Sequence, residues 1–384
     1  MKNKIPYGKH HISQNDIDSV IEVLKSDYLT QGPQIENFEK AFAEYIGVDY
    51  AIAVSNGTSA LHLCALALNT NHTSKVITSP ITFAASANCI EYCGGQIEFC
   101  DIDPETLCLD LIKVREKLEK SSEGEFSGII PVDFAGFPVN MEALRNLADQ
   151  YNLWIIEDSC HAPGGFFYDS QMKKQFCGNG NFADAAIFSF HPVKHIAAGE
   201  GGMVTTNRKD IHDKIKLLRT HGIIKNLNLT NKSTSGWYYE MQELGYNYRI
   251  SDIVCALGNS QLERANQGLL KRKEIAKKYF KNLCNLPLKI PNANFSEGHA
   301  FHLFVILTDL RDELYSYLKE FNIQTQIHYI PLYRHPYYKS KYGPKHLKFS
   351  ENYYSKCLSL PIFPSMTEDE ISYVIKKITN FFNG

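Results

Sequence analysis

Short apolar segments alternate with helix-like segments from Tyr50 to about residue 219, and this alternation constrains the fold more than any other feature of the sequence. The predicted strands are residues 51–54, 76–79, 97–100, 128–131, 153–156, 185–189 and 203–206. The predicted helices lie near residues 58–68, 83–92, 111–119, 141–151 and 208–219. Such alternation is typical of a mainly parallel sheet with helices on both faces. Ligands of these sheets bind at the carboxyl ends of the strands, so residues that follow a strand are the candidates for function.

Further helical segments precede and follow this core. Ser13 to Ser26 is predicted to be a helix that carries Ile17, Val20, Ile21 and Leu24 on one face. Other helices are predicted at about 34–45, 251–283 and 368–381, and strands near 301–307 and 323–328. The polar segment 226–232 is predicted to be a loop that is either mobile or covers the site. We therefore predict a large domain of residues 1–248 and a smaller α+β domain of residues 249–384.

Composition excludes several classes of protein. The 384 residues carry a net charge of −2 and contain neither a basic tract nor an acidic tail, which argues against a nucleic-acid partner. The longest apolar runs are strand-sized, so no membrane span is expected, and the N-terminal residues lack the apolar segment of a signal peptide. The ten cysteines form no CxxC pair, which favours reduced thiols over disulfides or a metal site. The expectation is a cytoplasmic enzyme without a metal.

Lys194 follows the most informative of the predicted strands. The apolar run Ala185–Phe190 is predicted to bring Ser189 to the edge of the sheet. Lys194 comes after a turn at Pro192, and the glycine-rich segment 199–202 then allows a tight turn. A lysine in such a cleft is partly desolvated, which lowers its pKa and makes it a nucleophile able to form a Schiff base.

Three other strand ends carry residues suited to a site. Ser55–Ser59 opens a helix, and Gly57, Thr58 and the free N–H groups of the helix N-terminus are suited to a phosphate. Phe83 places an aromatic ring after the second strand, and Asp158 places a carboxylate after the fifth. Each feature also has a structural interpretation, a helix cap for Ser55–Ser59 and Asp158 and a core ring for Phe83. Together they are the parts that bind pyridoxal phosphate: a phosphate site, a stacking ring, an acid for the pyridine nitrogen and a lysine for the aldehyde.

Four motifs in this order resemble those of the DegT/DnrJ/EryC1/StrS sugar-nucleotide aminotransferases. They are Ser189–Lys194 with Gly199–Gly202, Glu157–Asp158 with His161–Ala162, Ser55–Leu61, and Gly245–Arg249. The resemblance covers nearly the whole chain. It implies an aspartate-aminotransferase-type fold, called PLP fold type I, with a three-layer α/β large domain and a smaller α+β C-terminal domain. It also implies a homodimer whose two active sites lie at the subunit interface.

The resemblance assigns a role to each matched residue. It makes Lys194 the Schiff-base lysine and proton carrier, and Asp158 the partner of the pyridine nitrogen. The other implied cofactor contacts are Phe83 on the ring, His161 near the 3-hydroxyl, Gly57, Thr58 and Ser189 at the phosphate, and Asn247 from the other subunit. Tyr7, His328 and Tyr329 lie where the family contacts the sugar nucleotide.

Within the family, three further segments look most like the members of pseudaminic acid biosynthesis: Trp237–Gly245, Asp133–Gly136 with Pro138, and Leu218–Ile223. This implies amination of UDP-2-acetamido-2,6-dideoxy-β-L-arabino-hex-4-ulose at C4, with L-glutamate as donor and 2-oxoglutarate as product. The same chemistry on a D-configured UDP or dTDP 4-keto sugar is the first alternative. A non-catalytic regulator that holds the cofactor is the second, and a metal hydrolase that uses His10, His11, His191 and His195 is a third, which lacks carboxylates at ligand spacing.

Overall fold

A seven-stranded sheet forms the centre of the protein in the computed structural model, which describes residues 4–225, 237–291 and 296–384. Its strands are β1 (Tyr50–Val54), β2 (Lys75–Thr78), β3 (Gln96–Phe99), β4 (Gly128–Ile130), β5 (Trp154–Asp158), β8 (Ala185–Ser189) and β9 (Gly202–Thr206). The short pair β6 (Phe166–Tyr168) and β7 (Lys174–Phe176) lies between β5 and β8 in sequence. The order across the sheet is β1-β9-β8-β5-β4-β2-β3, and only β9 runs antiparallel to its neighbours.

Helices cover both faces of this sheet because its strands are apolar on both sides. In β5, for example, Ile155 and Ile156 are both fully buried but belong to the cores on opposite faces. One face packs against α3 (Gly57–Ala67), α4 (Ala85–Tyr92) and α7 (Lys209–Arg219). The other packs against α2 (Pro33–Ile46), α5 (Leu111–Glu119), α6 (Met141–Gln150) and α8 (Asp252–Glu263). Helix α1 (Gln14–Lys25) packs on α8. The predicted three-layer α/β fold is confirmed.

A separate hydrophobic core organises the C-terminal part. It contains the antiparallel pair β12 (Phe304–Leu307) and β13 (Cys357–Leu360) with α9 (Ala265–Leu283), α10 (Arg311–Glu320) and α13 (Glu368–Asn383). The remaining elements are the strands β10 (Ile223–Ile224) and β11 (Glu240–Met241) and the helices α11 (Pro336–Tyr342) and α12 (Lys348–Lys356). Ile5 also belongs to this core and bridges to Ile323, so the N-terminal segment packs against the C-terminal part.

The predicted helical stretch 251–283 is confirmed except at Arg264 (φ −110°, ψ 11°), which separates α8 from α9 and whose guanidinium binds Asp16 and the His11 carbonyl. The predicted strand 323–328 was wrong. Residues 323–328 form no strand. Only Ile323 and Gln326 make isolated bridges there, and the four buried residues of β13 pair with β12 instead.

The predicted loop 226–232 lies outside the described residues, and the domain boundary after residue 248 stays a prediction. None of the helices in the described ranges combines the length and the apolar character needed to cross a bilayer.

Candidate active site

A cavity of about 870 Å³ lies at the carboxyl edge of the sheet, where the parallel strands end. Every site residue predicted from the sequence lines it except Asn247. Those that do are Tyr7, Gly57, Thr58, Phe83, Asp158, His161, Ser189, Lys194, His328 and Tyr329. Asn247 makes a β-bridge with Thr220 and does not line the cavity of its own chain.

The N-terminus of α3 forms one wall of the cavity. The Asn56 side chain caps the helix by accepting the Ser59 N–H at 2.8 Å, so the first turn presents its amides at the strand end. A Cβ on Gly57 would come within 3.1 Å of Ser189 Cβ, and a Cβ on Gly202 within 2.5 Å of the Asn56 carbonyl. Both glycines therefore allow β8 and β9 to approach this turn closely. The wall has the partial positive charge of a helix N-terminus and suits an anion.

Asp158 is a buried carboxylate that one side chain and one backbone group orient. The Ser86 hydroxyl donates to its Oδ2 at 2.7 Å, and the Cys160 N–H donates to its Oδ1 at 3.2 Å. The Thr82 and Ser86 hydroxyls are 2.8 Å apart. Since Ser86 donates its only hydroxyl hydrogen to Asp158, Thr82 is the donor in that pair. Sequence analysis missed Ser86, although its four-residue spacing from Thr82 beside Phe83 is a usable helical signal.

Lys194 lines the same cavity as Asp158 and lies in a turn after β8, where its N–H donates to the His191 carbonyl at 2.8 Å. Burial lowers the pKa of its ammonium. Within the described ranges, its Nζ makes no ion pair within 4.0 Å and no hydrogen bond. The side chain is therefore an amine that loses its proton more readily than a surface lysine and has no competing partner.

A group of stacked rings supports the floor of the cavity. His161 stacks on His302 with ring centroids 4.2 Å apart, and the Tyr329 hydroxyl is 3.4 Å from His161 Nε2. Burial, with Lys194 nearby, holds the pKa of His161 well below its ordinary value, so the ring is neutral. Its Nδ1 is buried and has no hydrogen-bond partner among the described residues. Sequence analysis missed His302, because nothing in the sequence places it beside His161.

The N-terminal and C-terminal segments meet at the cavity mouth. The Tyr7 ring lies 5.4 Å from the His328 ring, and His328 Nδ1 is 2.9 Å from Ser359 Oγ of β13. Burial lowers the pKa of His328 to about 3, so this ring is also neutral. Phe83 precedes α4 and leaves 61% of its surface exposed, with its ring 6.4 Å from that of Tyr329. An aromatic ring this exposed beside Asp158 is available for stacking on a planar ligand.

Sequence and structure comparisons agree on what this chain is similar to. The sequence matches the DegT/DnrJ/EryC1/StrS aminotransferase family over residues 10–379. It is 38% identical to the UDP-4-amino-4,6-dideoxy-N-acetyl-beta-L-altrosamine transaminase of Campylobacter jejuni over 376 residues, which cover 96% of this chain and 95% of that protein. It is 36% identical to the spore coat polysaccharide biosynthesis protein SpsC of Bacillus subtilis over 390 residues, covering 99% of this chain and 97% of that protein.

The fold of the chain is also similar to that of a solved aminotransferase structure. PseC of Helicobacter pylori, described as an aminotransferase involved in the biosynthesis of pseudoaminic acid, superposes with a TM-score of 0.89 at 30% identity. The superposition covers 99% of this chain and 100% of that one. The chain therefore belongs to the DegT/DnrJ/EryC1/StrS aminotransferase family; it is a sugar aminotransferase, and its cofactor is pyridoxal 5'-phosphate.

Proposed function

We propose that the protein transfers the amino group of L-glutamate to C4 of UDP-2-acetamido-2,6-dideoxy-β-L-arabino-hex-4-ulose in pseudaminic acid biosynthesis. The carrying observation is that Lys194, Asp158, Phe83 and the Gly57–Thr58 turn line one cavity in a chain with 38% identity to the altrosamine transaminase of Campylobacter jejuni. The similarity to Helicobacter pylori PseC over the full length of both chains supports the same pathway.

The cavity fits the cofactor by three independent observations. The helix N-terminus at Gly57 and Thr58, with Ser189 packed against it, suits the phosphate, and a side chain at position 57 would meet Ser189. The unpartnered Nδ1 of buried His161 leaves a polar atom for a ligand to satisfy. The exposed ring of Phe83 and the carboxylate of Asp158 suit a protonated aromatic nitrogen heterocycle between them.

Each residue then has a defined task. When bound, pyridoxal phosphate supplies an aldehyde that accepts an amino group and a ring that accepts electrons. Lys194 is the group that takes and returns the proton at the reacting carbon, since its lowered pKa leaves it able to act as a base. Asp158, held by Ser86 and Cys160, provides a fixed negative charge for the ring nitrogen. His161 is neutral, so it orients the ring by hydrogen bonding and adds no charge.

The sugar nucleotide is proposed to enter past Tyr7, His328 and Tyr329. These three residues line the cavity, and the rings of Tyr7 and Tyr329 each contact the ring of His328. Burial raises the pKa of Tyr329, so its hydroxyl stays protonated and can donate to a sugar oxygen.

We also propose a homodimer that completes this site. Helix α1 leaves Ile17 44% and Leu24 56% exposed, with Ile21 between them, although these residues form an apolar face. Such a face is suited to a second copy of the chain. Asn247 does not reach the cavity of its own chain, in keeping with a contact in the cavity of the other subunit.

The decisive experiment compares the L-configured 4-keto sugar with its D-configured C5 epimer, both as UDP conjugates, with L-glutamate as donor. Initial rates of amino-sugar formation are measured by mass spectrometry, and Lys194→Ala supplies the background. A higher rate with the L-sugar supports the proposal. A higher rate with the D-sugar refutes the proposed pathway but is consistent with an aminotransferase. If neither UDP-sugar gives product and a dTDP 4-keto sugar does, the proposed nucleotide is refuted.

A further inference from the structure

Two buried carboxyl groups, Asp133 and Glu157, lie side by side next to the cavity and have no task in the proposed reaction. Asp133 is 0% exposed and Glu157 is 3% exposed. A carboxylate oxygen of each lies within 4.8 Å of the other and of Cys177 Sγ. In residues 4–225, 237–291 and 296–384, neither carboxyl forms an ion pair within 4.0 Å. Two adjacent buried negative charges without a cation are strongly unfavourable, so one of the two groups holds a proton.

The hydrogen bonds indicate which group holds it. Asp133 accepts the Val139 N–H at 2.9 Å through Oδ1 and the Ser159 hydroxyl at 2.9 Å through Oδ2. Glu157 accepts one backbone N–H, that of Gly178, at 3.0 Å. Burial together with the charge of Asp133 raises the pKa of Glu157 well above its ordinary value. Asp133 is therefore the group that keeps the negative charge, and Glu157 is the group that keeps the proton.

This pair connects the end of β5 to the turn that supports the cavity floor. Glu157 directly precedes Asp158, and the Asp133 N–H donates to the Asp158 carbonyl at 3.1 Å. Asp133 also begins the 3-10 turn Phe134–Gly136. The Phe134 ring lies 6.1 Å from that of His161 and 6.2 Å from that of Tyr329. A displacement of Asp133 would therefore move the backbone of Asp158 and the Phe134 ring, which lies beside His161.

We propose that Asp133 and Glu157 share one proton, and that this buried acid–carboxylate pair positions Asp158 and His161 for the reaction. The inference rests on the proposed function only for its catalytic consequence, since the shared proton can be measured without turnover. Both oxygens of Asp133 and one of Glu157 already accept hydrogen bonds. This arrangement favours a proton over a metal ion, which would need several free oxygens.

The test uses Glu157→Gln in the cofactor-loaded protein. The amide keeps a donor toward Asp133 and an acceptor for Gly178, but it cannot ionise. We expect the infrared band of a protonated carboxyl group to be present in the wild type at neutral pH and absent in the variant. Glu119→Gln, at an exposed glutamate, is the matched control and should leave the band unchanged.

The pH dependence of unfolding gives a second readout. Because the pKa of Glu157 is raised by folding, wild-type stability falls as pH rises from the ordinary pKa of a glutamate toward the raised one. Relative to Glu157→Gln, the unfolding equilibrium constant of the wild type should increase by up to about tenfold per pH unit in that window. The other titratable groups that face the pair are Asp158 and the thiols of Cys108, Cys160 and Cys177. Burial raises the pKa of all three thiols, so they stay neutral across this range.

Enzyme activity gives a third readout. At neutral pH, Glu157→Gln should have a higher kcat than Glu157→Ala, which should also release more cofactor on gel filtration. The proposal is overturned if Glu157→Gln leaves the carboxyl band and the pH slope unchanged, or if the wild type contains a stoichiometric metal ion that this variant lacks. If Glu157→Ala does not fold, the glutamine variant decides alone. Because neither the infrared nor the unfolding result depends on the sugar, failure of the proposed function is recognised separately.

Discussion

Removal of the Ser86 hydroxyl should lower the free energy of unfolding, because this hydroxyl donates a hydrogen bond to the Asp158 carboxylate. Ser86 is fully buried, donates to Asp158 Oδ2 at 2.7 Å and accepts from Thr82 at 2.8 Å. A hydrogen bond to a charged group contributes about 1.5–3 kcal/mol, and a buried hydroxyl left without a partner costs about 1 kcal/mol or more. Ser86→Ala breaks the first and leaves Thr82 unpaired, so we expect the free energy of unfolding to fall by about 2–4 kcal/mol.

Thr82→Val is the matched control, because it removes the outer hydroxyl and leaves the bond from Ser86 to Asp158 in place. We expect it to cost about 1 kcal/mol. The double variant should cost less than the sum of the two single variants, since both remove the same bond between Thr82 and Ser86. Urea denaturation of the cofactor-free protein at one fixed concentration measures all three. A loss in Ser86→Ala no larger than that in Thr82→Val would refute the assigned direction of these hydrogen bonds.

Three further predictions concern the chemistry, the glycine turn and the acid stability. Lys194→Ala should abolish turnover, and Asp158→Asn should retain bound cofactor by absorbance yet lose most of kcat; steady-state turnover by the alanine variant would contradict the mechanism. Gly202→Ala should lower the free energy of unfolding by about 3 kcal/mol or more, because its Cβ would lie 2.5 Å from the Asn56 carbonyl. Gly268 lies in helix α9, and a Cβ added there would be 3.4 Å from its nearest neighbouring atom, so Gly268→Ala should raise the free energy of unfolding by about 0.5–1 kcal/mol. Equal effects of the two substitutions in thermal melts would be inconsistent with the close packing at Gly202. Burial raises the pKa of Asp16, but hydrogen bonds from Ser13 and Ser260 and the charge of Arg264 lower it overall. The ionised Asp16 should therefore stabilise the fold at neutral pH, and this stabilisation should be lost as pH falls through the lowered pKa. Asp16→Asn should flatten this acid limb in denaturant titrations, and an unchanged limb would exclude the assignment.

The residues whose place at the cavity could be predicted from the sequence are those at strand ends. Asp158 and Ser189 are the last residues of β5 and β8, and Gly57 follows β1. Parallel strands place their carboxyl ends at one edge, so chain order alone brings these residues together. Lys194 was found in the same way, from the apolar run before it and the glycines after it. The local sequence carried enough information because a strand end positions each of these residues: β1 positions Gly57, β5 positions Asp158, and β8 positions both Ser189 and Lys194.

Residues brought in by tertiary packing were missed. His302 reaches His161 only because the segment before β12 packs under the Phe134 turn, where the Leu303 N–H donates to the Ala135 carbonyl at 3.1 Å. The strand predicted at 323–328 alternates in polarity as a strand does, but its neighbours pair with only two of its residues. Cys357–Leu360 has only four residues, which is too short for its sequence pattern to distinguish a strand from a loop in the core.

The attachment of the N-terminal segment affects when the active site can form. Ile5 donates its N–H to the Asn322 carbonyl, and this places Tyr7 beside His328. During synthesis, the cavity mouth therefore cannot form until His328 and Tyr329 have left the ribosome and can contact the N-terminal segment. The central sheet can fold much earlier, since β9 ends at Thr206. An emerging chain thus presents Lys194 and Asp158 in an open cleft during the later part of its synthesis, and a closed binding site arises only after translation is nearly complete.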